Sequence, residues 1–111
     1  MRFITSLLAI LSTADRFSKE TKKRNGKAYK GFITFDVNEQ EKTLTMTAID
    51  GDVHMEEKLA LFVVDGSFKF NMHIKQILDI LGCIPEKPIE FYTIGNCVCF
   101  DVTADIGMLI R

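Results

Sequence analysis

From residue 31 onward the chain stops reading as a helix and begins to alternate, and that switch limits the available folds more than any other feature. In "GFITFDV" (31–37) Phe32 falls on one face and Ile33, Phe35 and Val37 on the other. In "TLTMTAI" (43–49) Thr43, Thr45 and Thr47 oppose Leu44, Met46 and Ala48. A period of two marks a half-buried strand, because successive side chains of a pleated backbone point to opposite sides. Asn38 to Lys42 are polar and turn-like, and Asp50-Gly51 marks a tight hairpin. "DVHMEEKLALFVV" (52–64) then reads as one long strand with Val53, Met55, Leu59 and Leu61 in phase, and Asp65-Gly66 turns again.

The stretch before residue 31 has the other periodicity. "MRFITSLLAILSTADRFSKE" imitates a secretory signal, with Arg2, an apolar run Phe3 to Leu11 and the small residues Ser12-Thr13-Ala14. Yet Ile4, Leu7, Leu8, Leu11, Ala14 and Ser18 form one helical stripe, with Ile10 and Phe17 at its edge. Ala9, Ser12, Thr13, Arg16 and Lys19 fall on the other side. A signal needs no such sidedness, so the opening is expected to be a core helix over about 5–19, after a strand of at most Arg2 to Ile4. Thr5 and Ser6 supply cap chemistry. Leu7, Leu8 and Leu11 are expected to be buried.

The second half repeats the first. "SFKF" (67–70) is a short strand, and Asn71 is a suitable cap for a helix over 71–82. In "MHIKQILDILGC" Ile74, Ile77, Leu78 and Leu81 recur at helical spacing, and Gly82 and Pro85 end the run. "IEFYTI" (89–94), a Gly95-Asn96 turn, "CVCFDV" (97–102) and "IGMLI" (106–110) follow as three strands. The order is strand, helix, three strands, twice. The fold class is therefore α+β: two such units, with two adjacent helices packed on antiparallel sheets.

Residues 1–111 suit a single domain, large enough to bury about two-thirds of its unfolded surface. No apolar run approaches the ~20 residues that span a bilayer, so no membrane is expected. Cys83, Cys97 and Cys99 are odd in number, and Cys97 and Cys99 stand about 7 Å apart along one strand, which discourages pairing. A reducing, cytoplasmic setting is the expectation.

Charge is distributed unevenly. The formal net charge is −1, yet "RFSKETKKRNGKAYK" (16–30) holds Arg16, Lys19, Lys22, Lys23, Arg24, Lys27 and Lys30 against Glu20 alone. Such a block on an otherwise acidic chain is the footprint of a phosphate-binding surface. A solvated helix end would also favour these residues, through the helix dipole.

Enzymatic chemistry finds no constellation. His54 and His73 are the only histidines, with no nucleophile elbow and no glycine-rich phosphate loop. Cys97, Cys99, Asp101 and His54 do not have the spacing of a zinc site, and Asp50-Gly51-Asp52 lacks the remaining carboxylates of a calcium loop. No catalytic residue, metal or cofactor is expected.

Four strings, in order and spacing, carry a resemblance: "MRFITSLLAILSTADRF", "LTMTAIDGDVHMEEKLAL", "GSFKFNMHIKQILDIL" and "EKPIEFYTIGNCVCFDV". Together they resemble one domain of the bacterial DNA sliding clamp, the beta subunit of the replicative polymerase. The resemblance implies a DNA-clamp-like domain. In that family six similar domains, normally three per chain in a dimer, form a ring whose helices line a central hole. Basic residues there touch the phosphate backbone without reading bases. Arg24, in the loop expected after the first helix, matches a basic position near DNA, with Lys22, Lys23 and Lys27 as neighbours.

This chain supplies one domain where the family supplies three, so a ring would need self-association or partners. No residue can be matched to the family's pocket for replication peptides. The second helix offers little charge: His73, Lys75, Gln76 and Asp79 lie opposite its apolar stripe. Two functions of different class follow. In the first, a clamp-like protein self-associates around or along DNA, binding its backbone through Arg16, Lys19, Lys22, Lys23, Arg24 and Lys27, as a sequence-independent processivity-type factor in DNA replication. In the second, a protein-interaction module keeps the clamp fold, binds a replication or other protein, and leaves the basic block idle.

Overall fold

The computed structural model describes residues 1–79, 81–84 and 87–102. The strand expected at 106–110 lies outside the described residues. Among the described residues eleven segments of regular structure follow one another: β1 (Arg2–Ser6), α1 (Leu7–Asn25), β2 (Phe32–Asn38), β3 (Thr43–Asp50), β4 (Val53–Ala60), β5 (Val63–Asp65), β6 (Phe68–His73), α2 (Ile74–Asp79), a 3-10 turn (Leu81–Cys83), β7 (Pro88–Ile94) and β8 (Cys97–Val102). Among the described residues they build two four-stranded sheets, in the orders β5-β1-β7-β8 and β4-β3-β2-β6. Every paired strand is antiparallel. The α+β class and the paired helices are as expected.

The two units exchange their leading strands. β1 joins β7 and β8 of the second unit, while β6 joins β2, β3 and β4 of the first. β1 is longer than the sequence suggested and is a central strand, bonded to β5 on one side and β7 on the other. The expected long strand over 52–64 is two strands that serve different sheets. At the crossing the Leu61 N–H donates to the Lys42 carbonyl at 3.0 Å, and the Phe62 N–H donates to the Ile4 carbonyl at 2.8 Å. Leu61 stays buried, so the phase of alternation survives a change of partner that it could not reveal.

Phenylalanines join the sheets. Phe3 stacks on Phe91 with ring centroids 5.0 Å apart, Phe35 on Phe70 at 4.8 Å, and Phe70 meets Phe91 at 5.7 Å. Phe3 and Phe91 come from one sheet, Phe35 and Phe70 from the other. Each fully buried ring contributes about 1.5–3 kcal/mol, and each ring pair about 0.5–1.5 kcal/mol more.

α1 is a core helix, but its buried stripe is rotated from the expected one. Leu7, Ile10, Thr13, Ala14, Phe17 and Thr21 are buried, whereas Leu8 is 52% exposed and Leu11 only half-buried. Two causes act together. The helix begins at the point where β1 ends, with the Ser6 hydroxyl accepting from the Ala9 N–H at 3.2 Å, so the strand sets its phase. The threonines can turn inward because each satisfies its own hydroxyl: Thr13 donates to the Ala9 carbonyl at 2.8 Å and Thr21 to the Phe17 carbonyl at 2.9 Å.

The helix also runs beyond residue 19, to Asn25. It ends at Gly26, whose φ of 80° is the left-handed conformation that a glycine adopts without a Cβ clash, and whose N–H returns to the Lys22 carbonyl at 2.9 Å. α2 is shorter than the expected 71–82. Asn71 belongs to β6, where its Oδ1 accepts from the Thr34 hydroxyl at 2.9 Å. His73 caps the helix instead: its Nδ1 accepts from the Lys75 N–H at 3.1 Å, while Gln76 Oε1 accepts from the His73 N–H at 3.2 Å. This is a capping box with a histidine in place of the usual hydroxyl. α2 packs against α1.

Candidate nucleic-acid interface

The extension of α1 changes what the basic block is. Lys22, Lys23 and Arg24 occupy its last turn rather than a loop, and Lys27 follows the Gly26 cap. Cations there oppose the partial negative charge of the exposed carbonyls, worth about 0.3–1 kcal/mol each. Helical spacing puts Leu8, Ser12, Asp15, Lys19, Lys22 and Lys23 on the outward side, opposite the buried stripe, and all six are exposed.

Ion pairs divide the expected site residues into two groups. Arg16 reaches Glu57 of β4 at 3.5 Å and lies over the Phe17 ring, 5.4 Å from its centroid. Lys19 pairs with Asp15 at 2.9 Å, and Arg24 Nε donates to Glu20 at 2.8 Å. The Arg24 hydrogen bond holds the Glu20 carboxyl below its ordinary range, against a smaller opposing effect of desolvation. Among the described residues Lys22, Lys23 and Lys27 have no ion pair. Exposed pairs of this kind contribute little to stability. Their larger consequence is on charge, since a paired cation gains less by meeting a phosphate.

Beside this surface, α1, α2 and the loop between α1 and β2 enclose an open groove of about 600 Å³. Tyr29, Lys30, His73, Lys75, Leu78 and Asp79 are among the residues that line it. Linear reading placed none of them in the interface. Lys30 was visible only as the last base of the block, and α2 carries too little charge to draw notice.

A second surface gathers apolar groups. Leu8 and Phe62, 52% and 55% exposed, line a shallow cleft at the opposite end of α1 from the lysines. Among the described residues no group of three or more His, Cys, Asp or Glu side chains could hold a metal ion. No helix among them is long and apolar enough to cross a membrane.

No protein-family model matches the sequence, and no curated protein matches it either. Solved structures do. A Helicobacter pylori beta clamp in complex with 5-chloroisatin superposes with a TM-score of 0.75 at 16% identity, over 95% of this chain and 28% of that one. The H. pylori beta clamp bound to a DNA ligase peptide gives 0.73 at 18% identity, over 95% and 29%. The Caulobacter crescentus pol III beta gives 0.64 at 15% identity, over 81% and 23%. This chain thus spans under a third of the length of the clamps it matches. Two helices side by side on two antiparallel sheets, superposing on beta clamps over most of the chain, give it a sliding-clamp-like fold.

Proposed function

We propose that this protein is a clamp-fold module that contacts the DNA backbone without regard to sequence. The observation that carries the reading is the cluster of Lys22, Lys23 and Lys27 at the end of α1, exposed and without ion pairs among the described residues. Phosphate contacts of this kind release counterions, permit sliding and depend steeply on salt. The residues 1–111 act as one clamp-like domain, and copies associate head to tail so that several α1 surfaces face one duplex. Its work is binding rather than catalysis.

Binding to duplexes of unrelated sequence, titrated against salt, tests this. The double variant Lys22→Gln/Lys23→Gln weakens all of them alike and flattens the salt dependence by about 0.9 per lost contact. Arg24→Gln has less effect, because Glu20 already holds that guanidinium. A protein without salt-sensitive DNA affinity would overturn the reading.

One observation favours a second reading, a module for protein partners. Leu8 and Phe62 expose large apolar side chains to one cleft, and a clamp of similar fold has been solved with a DNA ligase peptide bound. Loss of a replication-protein peptide's binding on Phe62→Ser, with DNA affinity unchanged, would identify that role.

A further inference from the structure

Resting on the DNA reading above, we propose that the groove between α1 and α2 seats an unpaired nucleotide of a DNA strand. Two planar rings line it, and each is held against Phe32, which is not among the lining residues. The Tyr29 hydroxyl donates to the Phe32 carbonyl at 2.7 Å. The His73 ring accepts the Lys75 N–H at Nδ1 and meets the Phe32 ring edge-on, with centroids 5.2 Å apart and planes at 82°. Both rings are partly exposed, and Leu78 adds a half-buried apolar wall beside them.

Charge selects the occupant. Lys30 and Lys75 are exposed at the groove without ion pairs among the described residues, and Asp79 is the single carboxylate that lines it. Two cations, two planar rings and one acceptor match a phosphate, a base face and an exocyclic amino group. An acidic side chain would satisfy the lysines but brings no donor to Asp79, whereas a nucleotide carries a base amino group beside its phosphate. A paired base in duplex DNA keeps its faces stacked, so only an unpaired nucleotide can use these walls. The groove also continues the lysine surface, since Lys30 follows Lys27 on the same loop. Stacking on such side chains is tolerant of sequence and strengthens single-strand binding per base.

The test compares a blunt duplex with the same duplex carrying a short single-stranded overhang, at fixed salt. The overhang is expected to raise affinity by about tenfold or more per seated base. Ala28→Trp, at an exposed position on the groove wall, fills the space and is expected to erase that preference while blunt-duplex affinity stays. Lys75→Gln reduces the preference without filling the groove, which covers the case in which the tryptophan variant fails to fold. The chain has two tyrosines and no tryptophan, so emission from a Tyr92→Phe protein reports on Tyr29 and is quenched by the overhang. Equal affinity for the two DNAs overturns this proposal and leaves the duplex reading standing. Absence of binding to either overturns both. A preference that survives both substitutions, or an acidic aromatic peptide that quenches Tyr29 as the overhang does, also overturns it.

Discussion

The Tyr29 hydroxyl donates to the Phe32 carbonyl at 2.7 Å, at the end of the β2–β3 ladder, whose last paired residues are Thr34 and Thr47. A side chain from the connecting loop therefore takes up a β2 carbonyl beyond the last β2–β3 pair. The same hydroxyl explains Gly31, where an added Cβ would lie 2.4 Å from it and 2.6 Å from the ring carbon that carries it.

That contact predicts a coupled pair. Tyr29→Phe removes the hydrogen bond and is expected to cost about 0.5–1.5 kcal/mol. Gly31→Ala forces the ring out of its place and costs more than Tyr29→Phe. In a Tyr29→Ala background the Gly31→Ala cost falls sharply, because the clashing atoms are gone. Denaturant melts of the double-mutant cycle measure the coupling; additive costs would contradict it.

The same tyrosine predicts an alkaline transition. Burial, reinforced by the nearby Asp50 carboxylate, pushes the Tyr29 hydroxyl above its ordinary value of 10.0, with the Ile49 N–H opposing. In the unfolded chain it ionises first, so the stabilisation is fully present below that value and is lost as pH rises through the raised one. Stability against urea, followed upward from pH 9 or so, should decline in that window, and Tyr29→Phe should remove this part of the decline.

Rotation of the α1 stripe predicts opposite outcomes for two neighbouring aliphatics. Ile10 is 0% exposed, so Ile10→Ala should destabilise by about 2–5 kcal/mol. Leu8 is 52% exposed, so Leu8→Ala should change stability by no more than about 0.5 kcal/mol. The expectation that Leu8 is a core residue is corrected by its position. Equal thermal shifts in the two variants would argue against the observed phase.

Glu20 predicts a gain of function. Glu20→Gln removes the carboxylate that holds Arg24, freeing the guanidinium for phosphate. DNA affinity should rise, and the salt slope should steepen by about 0.9. Acidification acts in the same direction. Arg24 depresses the Glu20 carboxyl below its ordinary 4.5, so the pair persists down to that lowered value and is lost as pH falls through it. A titration in which wild type and variant show the same salt slope at neutral pH would contradict the assigned restraint.

Alternation in 31–49 and helical spacing in 7–18 and 74–79 were sufficient to set the types of β2, β3, α1 and α2 and the α+β class, though not the division of 52–64 into two strands. Those are local properties: Leu44, Met46 and Ala48 share a face in any strand, and Asp50-Gly51 turns in any hairpin. The basic block was legible for the same reason, as a simple excess of charge between residues 16 and 30. What local pattern could not supply was the identity of partners. Leu61 keeps its inward phase whether or not the chain changes sheet, and the crossing is marked by pairing, in the Phe62–Ile4 backbone bond and the β1–β5 ladder that follows it. Thr13 and Thr21 look polar in sequence, and only a helix whose carbonyls accept their hydroxyls allows them inside, turning Leu8 outward. Asn71 had the better capping chemistry on paper, but pairing of β6 with β2 uses it in the sheet and leaves the cap to His73. Charge itself was redistributed in this way: sequence counted seven cations in the block, and tertiary and helical contacts then held Arg16, Lys19 and Arg24 on carboxylates. Periodicity depends on each residue's own backbone and is written in the chain; pairing depends on which segments meet across space, and that was decided by the packing of the two sheets and the two helices.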